Sequence, residues 1–359
     1  MNRHRLRQAT ALDPSAFQPD RRRLLQALLG TAGVGALGAC GKESGSATDP
    51  RSLLIGGLPV TCNLTLPIAS AARDAQLRAQ PSATAYRYAF SKYSGWPEIK
   101  ESLMAGRVQA AYMLAPLVML LADSGIPVKI VSLGHRSGAV IMVRTDSPYQ
   151  RFKQLAGKIV AVPSRYAVDF LFLRKMLAQE QMTPADLQIV EMAPPDMPAA
   201  LYANAVDAYC TGEPFGASAQ RAGFARPLRM TRDEWRNYIC CVLAVREELI
   251  QKDPAQVQDL VDLIQGAGVW LDQDRANRDT AVKIAAGKSY FNQDPAILQF
   301  VMDNPTDRVT YGDLRMIRAE FDELMRLSIE AGTIKHEIPY ERYALETFVR
   351  AAKAAPIRL

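Results

Sequence analysis

Short apolar runs alternate with longer segments of helical periodicity between residues 52 and 250. The apolar runs are five to nine residues long and are bounded by glycine, proline or polar residues, which is typical of buried strands. The predicted strands are Ser52–Pro59, Ala85–Ser91, Val108–Met113, Val128–Leu133, Ala139–Arg144, Leu155–Pro163, Leu187–Met192, Val206–Cys210 and Tyr238–Val245. The predicted helices are Pro67–Gln80, Pro97–Ala105, Pro116–Ser124, Tyr166–Gln179, Asp196–Ala203 with Asp196 as N-cap, and Pro214–Gly223.

The alternation restarts at Leu155 and gives way to helical spacing from Pro254 onward. Two apolar helix faces follow, and no strand of similar quality is expected after Val245. Their residues are Val257, Leu260, Val261, Ile264 and Trp270 on one face, and Leu314, Ile317, Phe321, Leu324 and Leu327 on the other. The pattern predicts an α/β protein in which two units with mostly parallel sheets are followed by a helical C-terminal region.

The first 39 residues have the pattern of an export signal. Arg21–Arg23 precede the apolar run Leu24–Ala39, which ends in small residues before Cys40. The run has 16 residues and four glycines, whereas a membrane span needs about 20 apolar residues, so a transmembrane anchor is disfavoured. We therefore interpret 1–39 as a twin-arginine lipoprotein signal peptide and Cys40, which resembles a lipobox cysteine, as the lipid anchor. Residues 40–51 are small and polar, as in a flexible tether.

The formal charge of +6 comes largely from this segment. Without residues 1–39, 37 basic and 35 acidic residues remain, so the rest of the chain is close to neutral. No basic stripe for nucleic acid is left, and no nucleic-acid partner is expected. About 320 residues are enough for two ordinary cores.

The other cysteines are predicted to be buried free thiols. Cys62, Cys210, Cys240 and Cys241 lie in apolar, strand-like runs, and export permits disulfides, for which four cysteines allow three pairings. Their spacing with the three histidines does not suggest zinc, so no metal and no cofactor are expected.

Catalytic motifs are scarce. The chain has no Gly-x-Ser-x-Gly elbow and no phosphate-binding glycine loop, and His135 lies in a polar turn where a solvated or capping role is the common one. The sequence predicts that the protein is not an enzyme.

Polar and aromatic residues follow several predicted strands, and in open α/β sheets ligands bind at that edge. Together these loops predict a cleft between the two units. The candidate ligand-binding residues are Thr61, Asn63, Trp96, Pro116, Ser164, Tyr166, Asp169 and Glu213.

Four segments carry a family resemblance: Gly106–Ala111, Met113–Pro116, Gly125–Val131 and Tyr209–Phe215. They resemble the solute-binding proteins of ABC importers for nitrate, bicarbonate, sulfonates and thiamine precursors, over most of residues 52–250. The resemblance implies a type II periplasmic binding fold whose two lobes close on a ligand.

The same resemblance divides the chain. Lobe 1 would comprise 52–140 and 245–359, and lobe 2 would comprise 141–244. The strands Ala139–Arg144 and Cys241–Arg246 would be the hinge strands that cross between the lobes. The protein would be a monomer.

The resemblance also bears on the ligand. Trp96 matches a tryptophan of the nitrate and bicarbonate binders, but their other anion-contacting positions fall on Ala139, Asp169 and Cys241, which offer none of the expected donors. Asp169 would repel a small anion. A neutral or amine-bearing solute, such as a flat heterocycle on Trp96 paired with Asp169 or Glu213, fits better. Arg136 and Arg165 could give the cleft a positively charged wall, so binding of an anion stays an alternative.

Three functions follow from these observations. The first is a lipid-anchored, extracytoplasmic component of an ABC importer that delivers a small solute to a permease and its ATPase, on the periplasmic or cell-surface side of a membrane. The second is an extracytoplasmic ligand sensor on the same fold. The third, more remote, is an enzyme that resembles the thiamine-pyrimidine synthases, which are intracellular and use a cysteine-rich segment with a histidine.

Overall fold

The computed structural model describes Asp49 and residues 51–236 and 238–359. The predicted signal peptide, Cys40 and nearly all of the tether lie outside the described residues. Asp49–Leu359 form one compact unit. In this part of the chain, every helix is too short or too polar to cross a membrane.

The strands of the described residues form two five-stranded sheets and one two-stranded sheet. In chain order they are β1 Ser52–Gly57, β2 Arg87–Lys92, β3 Ala110–Leu114, β4 Val128–Leu133, β5 Arg136–Ser137, β6 Ala139–Arg144, β7 Ile159–Val162, β8 Gln188–Glu191, β9 Ala208–Gly212, β10 Ala225–Met230, β11 Cys241–Arg246 and β12 Val309–Thr310.

The helices connect these strands and then form the C-terminal region. They are α1 Thr65–Ala79, α2 Trp96–Met104, α3 Ala115–Asp123, α4 Val168–Gln179, α5 Met197–Tyr202, α6 Phe215–Arg221, α7 Thr231–Glu234, α8 Glu247–Lys252, α9 Pro254–Gln273, α10 Arg275–Ala285, α11 Pro295–Asp303, α12 Arg318–Glu330, α13 Tyr340–Tyr343 and α14 Thr347–Ala351.

Each large sheet is mostly parallel, with one strand reversed. The first sheet has the order β2-β1-β3-β11-β4, and β11 is antiparallel to both of its neighbours. The second has the order β10-β6-β9-β7-β8, and β6 is antiparallel to both of its neighbours. The chain enters the second sheet by the reversed strand β6 and returns to the first sheet by the reversed strand β11. This is the predicted α/β fold with two lobes, and we call the parts built on the first and second sheets lobe 1 and lobe 2.

The chain crosses between the lobes beside β6 and β11, not within them. All of β6 pairs inside the second sheet and all of β11 inside the first, so the described residues of the crossovers are 134–138 on the way out and 231–236 and 238–240 on the way back. The predicted limits after residues 140 and 244 therefore cut through both strands. The outgoing crossover contains β5, which pairs with β12 of the C-terminal region. A left-handed backbone at Ser137 and Gly138 turns the chain there.

Other details of the structure also differ from the sequence prediction. The segment after Gly223 contains β10 and α7, which the sequence pattern missed because β10 carries a proline and two arginines; Pro227 is tolerated at a bulge of this edge strand. Asp196 precedes α5 but makes no capping hydrogen bond, since it ends a 3₁₀ turn in a helical conformation. The short strand β12 interrupts the C-terminal helices.

The C-terminal helices pack their predicted apolar face on lobe 1. Val257, Leu260, Val261 and Ile264 of α9 are buried in the main core, which also contains the strands of the first sheet. The next region, α10 to β12, reaches the loop after β9 of lobe 2 through the ion pair of Arg308 with Glu213. The C-terminal region thus contacts both sides of the cleft.

Candidate functional site

A small cavity lies between the lobes at the carboxyl ends of β1, β3, β7 and β9. Its volume is about 20 Å³, close to the space that one water molecule needs. The lining residues from lobe 1 and the return crossover are Leu58, Val60, Cys62, Trp96, Leu114 and Cys240, and those from lobe 2 are Pro163, Asp169, Pro194, Thr211, Gly212 and Phe215. A larger solute can enter only if the lobes separate.

Direct hydrogen bonds hold the lobes together beside this cavity. The backbone N and Oγ1 of Thr61 both donate to the carbonyl of Glu213, at 3.1 and 3.0 Å. The hydroxyl of Tyr311, in the C-terminal region, donates to the carbonyl of Thr61 at 2.9 Å. Thr61 is therefore a contact between the lobes, and the described state is a closed one.

Asp169 is the charged group of the cavity lining. It lies in the first turn of α4, it is 2% exposed, and its Oδ1 has no hydrogen-bond partner. Burial raises the pKa of this carboxyl to about 7. The residue lines the cavity, so a donor on a ligand could reach this carboxyl.

Besides Phe215 of lobe 2, the lining contains one other aromatic side chain, Trp96. It begins α2 and is 6% exposed, so the indole both covers the start of this helix and borders the cavity. Pro97 follows it in the first turn, where proline is well tolerated. A flat ring system could stack here only in a partly opened cleft.

Glu213 does not line the cavity, contrary to its assignment as a ligand contact. Its side chain is fully buried and accepts from Nε of Arg308 at 2.6 Å and from the backbone N of Ala217 at 2.8 Å. The carboxylate is thus occupied by a guanidinium group and by the start of α6. We assign it a structural role.

Four other candidates lie near the cleft but outside the cavity lining. Asn63 is buried against Gly57, and neither its amide oxygen nor its nitrogen has a hydrogen-bond partner. Pro116 is buried in the first turn of α3. Ser164 Oγ accepts from the backbone N of Tyr166 at 3.2 Å, and the Tyr166 side chain is exposed. Their roles as ligand contacts stay predictions.

Arg136 and Arg165, which the sequence suggested as a possible positively charged wall of the cleft, form ion pairs outside the cavity. Arg165 pairs with Glu191 at the surface, and buried Arg136 pairs with Glu320 at 2.8 Å. Neither lines the cavity, and no other basic side chain of the described residues does so. The cavity offers a small anion no cationic partner.

Sequence reasoning missed a cluster below this cavity. The ligand atoms of Cys62, His135, Cys240 and Cys241 lie within 4.8 Å of one another, and all four residues are buried. His135 is fully buried rather than solvated, and burial lowers the pKa of its ring to about 3. The feature that could have revealed this cluster is the order of the strands. Cys62 follows β1, His135 follows β4, and Cys240 precedes the antiparallel β11, so all three residues reach one edge of the first sheet.

The chain is similar to known proteins over most of its length. The model of the NMT1-like family matches residues 46–286, which is more than half of the chain. The chain belongs to the NMT1-like family. The family resemblance inferred from sequence is thereby confirmed.

Curated relatives of this NMT1-like protein include components of nitrate import. The nitrate/nitrite-binding protein NrtA of Nostoc sp. is 24% identical over 250 residues, 62% of this chain and 55% of NrtA. The nitrate import ATP-binding protein NrtC of Synechocystis sp. is 25% identical over 217 residues, 55% of this chain and 32% of NrtC. The chain spans about half the length of NrtA.

Solved structures with the same fold cover most of the chain. A ligand-binding component of an ABC-type import system from Staphylococcus aureus, described with zinc bound, has a TM-score of 0.74 and 25% identity, and covers 85% of this chain and 99% of its own. NrtA of Synechocystis PCC 6803 has a TM-score of 0.73 and 16% identity, over 84% and 87%. The desulfurization enzyme DszB has a TM-score of 0.58 and 17% identity, over 83% and 97%. The type II periplasmic binding fold is thus confirmed, and it carries both binding proteins and an enzyme.

Proposed function

We propose that this chain is the extracytoplasmic solute-binding component of an ABC importer, which traps a small neutral or amine-bearing solute between its lobes. Closure around the solute would produce the form that docks on the permease. The observation that carries the proposal is the closed interlobe cavity, bordered by an aromatic ring and by one buried carboxyl whose Oδ1 is unpaired.

The charge of the cavity supports a solute that is not an anion. A nitrate ion beside Asp169 would be repelled when the carboxylate is ionised, and the described lining supplies no cation in compensation. An ammonium or a ring N–H that reached this carboxylate would form a charge-assisted hydrogen bond, which is among the strong ones. Trp96 offers a surface for a flat ring. The relatives NrtA bind nitrate or nitrite by name, so we expect this chain to differ from them in ligand charge.

Export and anchoring belong to the same proposal. The paired arginines and Cys40 would direct the chain across the membrane and hold it there by lipid, with residues 40–51 as a tether. The protein would act as a monomer on the periplasmic or cell-surface side. Its partners would be an ABC permease and an ATPase, and the match to the ATP-binding protein NrtC supports an importer of this general type.

A ligand panel on the purified protein tests the proposed function. Thermal shift followed by calorimetry would compare nitrate, bicarbonate, alkanesulfonates, primary amines, nucleobases and aminopyrimidines. An amine or an amino-heterocycle at 100 times its Kd should stabilise the protein by about 2.7 kcal/mol.

Two variants show whether the bound solute uses the cavity. Asp169→Asn should weaken binding of the amine at least tenfold, while Glu191→Gln, at the exposed partner of Arg165, should leave it unchanged. Binding of nitrate in preference to every amine and heterocycle, with an affinity that Asp169→Asn improves or leaves intact, would refute the assigned ligand class. Co-purification with a signalling protein and not with a permease would favour the sensor instead.

A further inference from the structure

Four side chains beneath the cavity, Cys62, His135, Cys240 and Cys241, form what we call the Cys–His cluster. The Sγ atoms of Cys62 and Cys240 are 3.7 Å apart, and those of Cys240 and Cys241 are 3.9 Å apart. All four ligand atoms lie within 4.8 Å of one another. A tetrahedral zinc site with Zn–S bonds of about 2.3 Å has S–S edges of about 3.8 Å. Two of the three sulfur–sulfur separations therefore already match such a site.

His135 gives the second, independent observation. Its ring is fully buried, and neither Nδ1 nor Nε2 makes a hydrogen bond of good geometry. Buried polar groups are nearly always satisfied, and leaving one unpaired costs about 1–3 kcal/mol. Three buried thiols alone could be explained as small apolar side chains. A buried imidazole that faces them without a hydrogen bond of good geometry is explained by a ligand that accepts its lone pair.

We propose that the Cys–His cluster is a Cys₃His site for one thiophilic metal ion, with Zn²⁺ as the first candidate. Three thiolates and one neutral imidazole complete a four-coordinate shell, which is the composition of closed structural zinc sites. Binding of one Zn²⁺ releases three thiol protons to solvent and breaks no other covalent bond. Since all four ligand atoms lie within 4.8 Å of one another, a tetrahedral shell with edges of about 3.8 Å would require movements of about 1 Å at most.

The position of the cluster gives the ion a mechanical role. His135 lies in the outgoing crossover, Cys240 ends the return crossover, and Cys62 lies in the 3₁₀ turn that also carries Thr61. One ion would thus tie both crossovers to the loop that contacts lobe 2. Since Cys62 and Cys240 also line the cavity, the site would form its floor. Metal occupancy and lobe closure are therefore expected to be coupled.

Metal titration of the purified full chain tests this inference. The protein is reduced, stripped with a chelator and titrated with Zn²⁺ in competition with a chromophoric chelator; Co²⁺ and Cu⁺ serve as separate probes. We expect one Zn²⁺ per chain, and a Co²⁺ adduct with the intense near-ultraviolet charge-transfer bands of several thiolates. The readout needs no solute, so its failure would leave the proposed transport function untouched, and failure of the solute panel would leave the metal site untouched.

Cys210 supplies a matched control. It is a buried free thiol outside the cluster, and its Sγ donates to the carbonyl of Asp169 at 3.4 Å. Cys210→Ser should retain one Zn²⁺ and the full Co²⁺ spectrum, whereas Cys241→Ser and His135→Gln should weaken Zn²⁺ binding at least 100-fold and lose part of the charge-transfer intensity. Far-ultraviolet circular dichroism of the metal-free variants verifies that they fold.

Three results would overturn the proposal. One is the absence of bound metal in the reduced, folded protein. Another is a stable disulfide between Cys62 and Cys240, seen as a loss of two hydrogens in the intact mass and as insensitivity to Zn²⁺. The third is an equal loss of metal binding in Cys210→Ser and Cys241→Ser, which would indicate adventitious thiol binding.

Discussion

Nε of Arg308 lies 2.6 Å from Oε1 of Glu213, and both side chains are almost completely excluded from solvent. Arg308 belongs to the C-terminal region, between α11 and β12, whereas Glu213 follows β9 of lobe 2. The second carboxylate oxygen of Glu213 accepts from the backbone N of Ala217, so the same group also secures α6. This ion pair therefore connects lobe 2 to the segment between α11 and β12.

Glu213→Gln should destabilise the protein strongly. The substitution leaves the buried guanidinium of Arg308 without a counter-charge, and removal of one partner of a buried pair costs about 3–5 kcal/mol. Urea unfolding of the ligand-free protein, followed by circular dichroism, measures this loss. If Glu213 instead served as a ligand contact, the main effect would be on solute affinity.

An exposed pair provides the control for this substitution. Glu330 and Arg326 lie one turn apart on α12, and both are more than half exposed. Glu330→Gln removes the same charge and should cost about 0–1 kcal/mol. Equal losses for both variants would contradict the structural role of Glu213.

Glu213 also shows where sequence reasoning reached its limit. The sequence placed Glu213 just after the predicted strand Val206–Cys210, and the observed cleft is at that edge of the sheets. The direction of the side chain could not follow, because its partner Arg308 is 95 residues away in the chain. Strand positions depend on local periodicity, whereas side-chain roles in a cleft depend on contacts between distant segments.

The Cys–His cluster was missed for the same reason, because its members are distant from one another in the chain. Metal-site recognition in sequences depends on short ligand spacing. Here 73 residues separate Cys62 from His135, and a further 105 separate His135 from Cys240. Only the strand order, in which β11 returns between β3 and β4, brings the three segments to one edge. Asp169 and Trp96, in contrast, lie beside predicted strand ends, and both line the cavity.

Trp96→Phe should weaken binding of the solute found in the ligand panel by up to about tenfold. The smaller ring keeps an aromatic face but loses stacking area, and aromatic pairs contribute about 0.5–1.5 kcal/mol beyond burial. Calorimetry measures the change in Kd. Trp270→Phe, on half-buried Trp270 of α9 outside the cavity, is the matched control and should leave Kd unchanged. Equal Kd values for all three proteins would exclude Trp96 as a ligand contact.

Cys40→Ser should release the exported protein from the membrane. The hydroxyl cannot be acylated as the thiol is, so the anchor would be lost while the paired arginines still direct export. Arg21→Lys with Arg22→Lys keeps the charge and should instead retain the chain in the cytoplasm, if the twin-arginine route is used. Cell fractionation with immunoblotting distinguishes the two outcomes. A Cys40→Ser protein that stays in the membrane fraction would indicate that Leu24–Ala39 is an uncleaved anchor.

Asp169→Asn should stabilise the ligand-free protein above neutral pH and have little effect near pH 4. Burial raises the pKa of Asp169 in the folded state to about 7, from 3.8. Between these values the unfolded chain loses the proton and the folded chain keeps it, so the wild type loses stability as pH rises through this window. The loss is complete above pH 7, and asparagine, which does not ionise, avoids it. Thermal unfolding from pH 4 to pH 9, with a chelator present, measures the difference in Tm.

Asp186→Asn serves as the control, because it should change Tm in the opposite direction. Hydrogen bonds from the backbone N and hydroxyl of Thr183 lower the pKa of this exposed carboxyl. The ionised carboxyl stabilises the protein at pH values above its unfolded-state pKa, and this stabilisation is lost as the pH falls through its folded-state pKa. Asp186→Asn should therefore lower Tm at pH 8, and its Tm should approach that of the wild type at low pH. A Tm difference for Asp169→Asn that is constant across this range would show that the carboxyl is ionised in the folded protein at every pH tested. In that case the cavity would hold a permanent negative charge, and a cationic solute would be favoured over a neutral one.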